Sequence, residues 1–186
     1  MLGDLTTLVN VKSYIGSLQD STASDDLLNL LITLVSDEIK SFINRDIYPV
    51  ASYAEVRDGN GRTTLNVLQY PITAVSGVVI NGTAIPAITT RGGAGYAFDK
   101  NSIRLSGYAF TPGVQNVSVA YSAGYAAPPP ALELACIQLV AARYEGRNRI
   151  GVQGRSLGQE HTSFETGAMP EAVRQTLNQW RRVVPG

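Results

Sequence analysis

The residues with the most reactive side chains are few and scattered. His161 is the single histidine; Glu160 precedes it and Ser163 follows two positions on. Base, carboxylate and hydroxyl can be drawn as a hydrolytic triad, but that chemistry needs an activated nucleophile in a defined setting, and no G-x-S-x-G elbow occurs. Asp58-Gly59-Asn60-Gly61 begins like a calcium loop, yet its twelfth position is Gln69, where a bidentate Glu is required. Gly92-Gly93-Ala94-Gly95 lacks the Lys-Ser/Thr pair of a phosphate-binding loop. Cys136 is the only cysteine, which excludes an intramolecular disulfide and a cysteine-based metal site. No catalytic residue, metal or cofactor is expected. Arg143, Arg147, Arg149 and Arg155 remain, suited to phosphates, to carboxylates of a neighbouring subunit, or to water at the end of a helix.

The elements that carry these residues follow from periodicity. Leu8, Val11 and Ile15 recur at helical spacing behind Thr6 and Thr7 and stop at Gly16, predicting a short helix. Ser24 is placed to cap a longer one, with Asp25 and Asp26 at the positive end of its dipole. Leu27, Leu28, Leu31, Leu34, Val35, Ile39, Phe42 and Ile43 form its apolar face. From Ala51 the period becomes two, predicting strands at 52–57, 63–69, 73–80, 84–90, 102–106 and 114–122. Asp58 to Gly61 and Asn81-Gly82 read as hairpin turns, and 91–95 as a flexible loop. Pro128-Pro129-Pro130 presets a helix through Leu132, Cys136, Leu139 and Tyr144 to Gly146, in which Cys136 reads as a small buried hydrophobe. Periodicity then fails over 147–169, and a last helix runs from Pro170 through Val173, Leu177 and Trp180 to Pro185.

The fold class is therefore α+β: a small helical bundle formed by N- and C-terminal helices with an inserted antiparallel β module. The expected divisions of this single domain are 1–50 (helices), 51–127 (β module), 128–146 (helix), 147–169 (flexible interaction loop) and 170–186 (helix). Fifteen basic and fifteen acidic residues cancel, so no global field draws the chain to nucleic acid or an anionic membrane. Residues 1–60 nevertheless carry nine acidic against four basic side chains, and 130–186 carry seven basic against five acidic. Such a dipole suits head-to-tail contacts between copies. No apolar stretch is long enough to span a membrane, and no signal peptide is seen, so a soluble protein made in the cytoplasm is expected. Nine tyrosines, four of them Tyr96, Tyr108, Tyr121 and Tyr125, fit either half-buried strands or interfaces.

Five phrases in order carry a resemblance: Leu8 to Gly16, LVNVKSYIG; Asp25 to Arg45, a long helix led by two aspartates; the turn Asp58 to Gly61 with Tyr70-Pro71-Ile72-Thr73-Ala74-Val75; Tyr121 to Tyr125 ahead of the prolines; and Met169-Pro170 to Trp180-Arg181-Arg182. Together they resemble the head-tail connector (adaptor) family of tailed bacteriophages. The resemblance implies a non-enzymatic virion protein at the head-tail interface, a ring that is commonly dodecameric beneath the portal protein. Such a ring meets a neck or tail-completion protein and lets double-stranded DNA pass without sequence-specific binding. The expected subunit or portal interface comprises Arg143, Arg147, Arg149, Ile150, Val152, Arg155, Leu157 and Phe164. A β-rich particle-surface module recognising carbohydrate or protein is the competing reading, and a small hydrolase using His161 a weaker third.

Overall fold

The computed structural model describes residues 3–19, 21–147, 154–157, 160–163 and 169–182. Four helices and nine strands occur among them, in mixed α+β order as expected. The chain divides into two compact units, 1–44 with 128–186, and 45–127.

In the first unit, α1 (Leu8–Ile15) is capped by the Thr7 hydroxyl, which accepts the Asn10 N–H at 3.3 Å. α2 (Asp25–Ile43) ends at Asn44, whose left-handed φ of 57° turns its N–H back onto the last carbonyls. Ser24 makes no side-chain cap, contrary to expectation: its hydroxyl lies 2.7 Å from the Tyr144 hydroxyl and ties the start of α2 to α3. α3 (Pro130–Gly146) begins on a proline, whose missing N–H is no loss in a first turn. It is the central helix, packed against α1, α2 and α4 (Glu171–Trp180). Its buried residues, among them Leu132, Cys136, Leu139, Val140 and Tyr144, cover most of its circumference.

The buried face of α2 is Leu28, Ile32, Val35, Ser36, Ile39 and Ile43. This corrects the sequence expectation, which placed Leu27 and Leu34 inward; both are exposed. Eight apolar residues on one helix admit two adjacent stripes, and periodicity alone does not say which of them is covered.

The second unit holds two antiparallel sheets, ordered β1-β7-β3-β4 and β2-β6-β5. β1 (Ala51–Gly59) pairs along β7 (Gly113–Ala123), and β7 pairs on its other side with β3 (Ile72–Ile80). Val117, Val119, Tyr121 and Ala123 alternate inward along β7 and meet Ile103 and Leu105 of β6 (Ser102–Ser106) in one apolar cluster. Asn81-Gly82 forms the expected hairpin between β3 and β4 (Thr83–Ile85), with φ of 50° and 78°.

Three strand expectations need correction. The run 84–90 yields only β4, because Pro86 has no N–H for the ladder. The glycine-rich stretch instead leads directly into β5 (Gly95–Phe98), where a Cβ on Gly95 would stand 2.4 Å from the Pro86 carbonyl oxygen. Asp58 to Gly61 is no hairpin, since β1 pairs with β7 while β2 (Thr64–Asn66) pairs with β6. It passes the chain from one sheet to the other, clamped by the Gly61 N–H on the Phe110 carbonyl at 2.7 Å.

The β unit starts at Arg45 rather than Ala51, because its first residues are already bonded into it. Asp46 N–H donates to Gln69 Oε1 at 2.9 Å, and the Ile47 carbonyl accepts the Tyr125 N–H at 2.9 Å. Within 147–169, where no regular element was expected, β8 (Gly154–Leu157) and β9 (Glu160–Ser163) pair antiparallel across two intervening residues.

Candidate functional site

The residues named from sequence fall into three groups. Arg143, near the end of α3, is ion-paired with Glu38 of α2 in the same chain. Arg147 lies 3.7 Å over the Tyr144 ring and donates to the Tyr144 carbonyl. Both therefore have intramolecular partners, and part of the acidic-to-basic complementarity expected between copies is used within one. Arg155 and Leu157 lie on β8, paired with Thr162 and Glu160 of β9. Arg149, Ile150, Val152 and Phe164 lie outside the described residues, as does the proposed end of the last helix at Pro185. His161 and Ser163 fall on β9, facing Ser156 and Gly154 in register.

The helical unit exposes two apolar surfaces. Leu27, Leu30 and Leu34 step along α2 at three- and four-residue intervals and are 39%, 56% and 51% exposed. The row stops at Glu38, whose carboxylate is held by Arg143. On α3, Ala131, Leu134 and Ala142 are exposed along one face, with Gln138 half-buried between them. The only charge on that face is Glu145, in the last turn. Neither surface covers the other within the chain; Gln138 interrupts the α3 face, and exposed Asp26 and Asp37 flank the α2 row.

No helix among the described residues is long and apolar enough to cross a membrane, and no group of three or more metal-capable His, Cys, Asp or Glu side chains occurs among them. Cys136 is fully buried on α3. Its burial pushes the thiol up to about 11, against the lowering contact with Ser36 Oγ at 3.6 Å.

The profile of the head completion protein family matches residues 4–183, nearly the whole chain. The chain belongs to the head completion protein family. No curated protein sequence matches it. A chain in the neck of an empty GTA particle, computed with C6 symmetry, has the same fold, with a TM-score of 0.59 at 20% identity over 99% of this chain and 94% of the other. A chain from the virion of the native gene transfer agent (GTA) particle gives 0.55 at 17% identity over 95% and 91%. One from the neck of the native GTA particle, computed with C12 symmetry, gives 0.51 at 20% over 100% and 98%.

In this head completion protein the phrases that carried the resemblance meet one another in pairs. Lys12 of the first phrase reaches Asp25 of the second at 2.9 Å and the Ser21 carbonyl at 2.6 Å, closing the α1–α2 connection. Arg45, at the end of the second, lies 3.9 Å over the Tyr70 ring of the third and donates to the Tyr70 carbonyl at 3.1 Å. Arg181 of the last phrase stands 5.6 Å over Phe42, and the Arg182 N–H donates to the Ile43 carbonyl at 2.9 Å.

One buried joint was missed in the sequence. Glu55 of β1 accepts from the Tyr121 hydroxyl on β7, from the Leu68 N–H at 2.8 Å and from Arg57 at 3.1 Å. The Tyr121 hydroxyl in turn accepts the Gln69 N–H at 3.0 Å. Burial, then the Glu55 carboxylate, raise the Tyr121 phenol above its ordinary range. The signal available was Glu55 at an inward position of a period-two strand, where a charge needs partners.

Proposed function

We propose that this protein is a structural subunit of a particle neck, joining a filled head to the neck or tail as one copy in a ring beneath a portal protein. Double-stranded DNA passes through the ring without sequence-specific contact, and the subunit does no chemistry of its own. The observation that carries the reading is the family match across 4–183, together with a whole-chain fold likeness to proteins seen in GTA necks. The C6 and C12 symmetry with which two of those necks were computed supports repeated copies around an axis. In this reading the segment 147–169 engages the portal or a neighbouring copy, with Arg149, Ile150, Val152, Arg155, Leu157 and Phe164 as its contact residues, and Arg143 and Arg147 beside them.

The competing carbohydrate- or protein-recognition module draws less support. Tyr121 is buried with its hydroxyl engaged on both sides, and Trp180 is half-buried on α4 in the helical unit, so neither offers an open stacking surface.

The test is removal and return of the full chain in the producing cell. Without it, electron microscopy should show heads that lack tails, and expression of the chain in trans should restore joined particles. Tailed particles at normal yield without the protein would overturn the reading.

A further inference from the structure

Residues 3–6, ahead of α1, lie in no helix or strand, yet Leu5 is fully buried and Thr6 is only 4% exposed. The segment bridges the seam between α2 and α3. The Leu5 N–H donates to Ser36 Oγ of α2 at 2.9 Å, the Thr6 hydroxyl donates to Glu133 of α3 at 3.4 Å, and Asp4 accepts from the Thr33 hydroxyl of α2 at 3.3 Å. Ser36 Oγ has a second neighbour, Cys136 Sγ at 3.6 Å, so the segment, the serine and the thiol form one buried row. After burial, and against the Ser36 contact, the Asp4 and Glu133 carboxylates also push the thiol upward, so the charge of a residue in this segment is felt at Cys136.

Two features make this segment separable from the helices it covers. Leu5 is the one apolar anchor among residues 3–6, and the ties just named end on side chains, not on a ladder or a helical turn whose loss would spread along an element. Beyond it, Thr7 is extended at φ −112° and ψ 157°, and α1 has fastenings of its own: Val11 is fully buried, Asn10 Nδ2 donates to Glu133 at 2.7 Å, and Lys12 reaches Asp25. We propose that residues 3–6 are a latch over the α2–α3 seam, whose withdrawal uncovers Cys136 while α1, α2, α3 and α4 stay packed. The motion is a local opening, distinct from unfolding of the helical unit. Every contact in it lies within one chain, so it stands apart from the ring reading above.

The experiment uses the full chain, with its single cysteine as the reporter. With the latch shut the thiol resists a maleimide, being both buried and protonated. Leu5→Ala takes away the anchor and should speed labelling about 30-fold or more, the factor that corresponds to the smaller losses seen for buried leucines, with helical circular dichroism unchanged. Leu177→Ala removes an equally buried leucine from α4, outside the latch, and should leave the labelling rate near that of the wild type. Equal acceleration by both variants would mean that the thiol is reached only through unfolding of the whole unit. No acceleration by Leu5→Ala would mean that something else covers Cys136. Either result overturns the latch. If Leu5→Ala does not fold, hydrogen exchange of the wild type decides: the Leu5 amide, bonded to Ser36 Oγ, should exchange while the Leu139 and Val140 amides of α3 stay protected, and exchange of all three in step would overturn the proposal.

Discussion

Replacing Tyr121 by Phe removes one hydroxyl and leaves the ring that packs in the β core. The loss has two parts. Glu55, only 9% exposed, gives up one of three donors, and hydrogen bonds to a charged acceptor contribute about 1.5–3 kcal/mol. The Gln69 N–H loses its acceptor, a cost of about 1–3 kcal/mol that water partly offsets because the site is only partly buried. The expected loss is about 2–4 kcal/mol, read by urea unfolding of the full chain followed by circular dichroism. A pH signature accompanies it. The folded Tyr121 phenol ionises above the ordinary value near ~10, so as pH rises the unfolded chain releases this proton first. Its contribution is therefore whole below about pH 10 and is lost as pH climbs toward the folded value. Wild-type stability should fall with alkaline pH more steeply than that of Tyr121→Phe. A loss under about 0.5 kcal/mol, with equal alkaline slopes for both proteins, would refute the account of this joint.

Leu28→Ala, which empties a fully buried position on α2, should cost about 2–5 kcal/mol in the same melts, whereas exposed Leu34→Ala should cost under about 1; equal losses would mean the two stripes of α2 are misassigned. Gly59→Ala should destabilise strongly, because the new Cβ would sit 1.8 Å from the Thr111 carbonyl oxygen; wild-type thermal stability would contradict that close approach. Cys136 should resist a thiol reagent at pH 8 until the protein is unfolded, and rapid labelling of the folded chain would deny its burial.

The helical frame was legible because its signals are local: Thr7 and Pro130 at helix starts, Gly16 at an end, and apolar residues at helical spacing between them. The Asn81-Gly82 hairpin was legible for the same reason. Strand partnership was not, because β1 finds its neighbour in β7, some sixty positions away, and nothing in Asp58 to Gly61 reports that. The arginines at the end of α3 stand out in the sequence as charges, but the acceptors of Arg143 and Arg147, Glu38 and the Tyr144 carbonyl, are matters of tertiary packing. The leucine row on α2 shows the limit most clearly. A sequence pattern reports that a residue is apolar, and only the packed structure reports whether its own chain covers it.

The β unit leaves and rejoins the helical unit through a zipped stem: Ile47 is bonded to Tyr125, and Ala51 pairs with Ala123. Once that stem has closed, the chain joining α2 to α3 behaves as a tether of a few residues on each side instead of the whole span from Asn44 to Pro128. Loop closure grows as the logarithm of length, so an eightfold shorter tether lowers the entropic cost of docking α3 on α2 by about 2 kcal/mol. The paired β1 and β7 thus shorten the effective connection between the two long helices, and the entropic cost of holding α3 against α2 falls once that stem has closed.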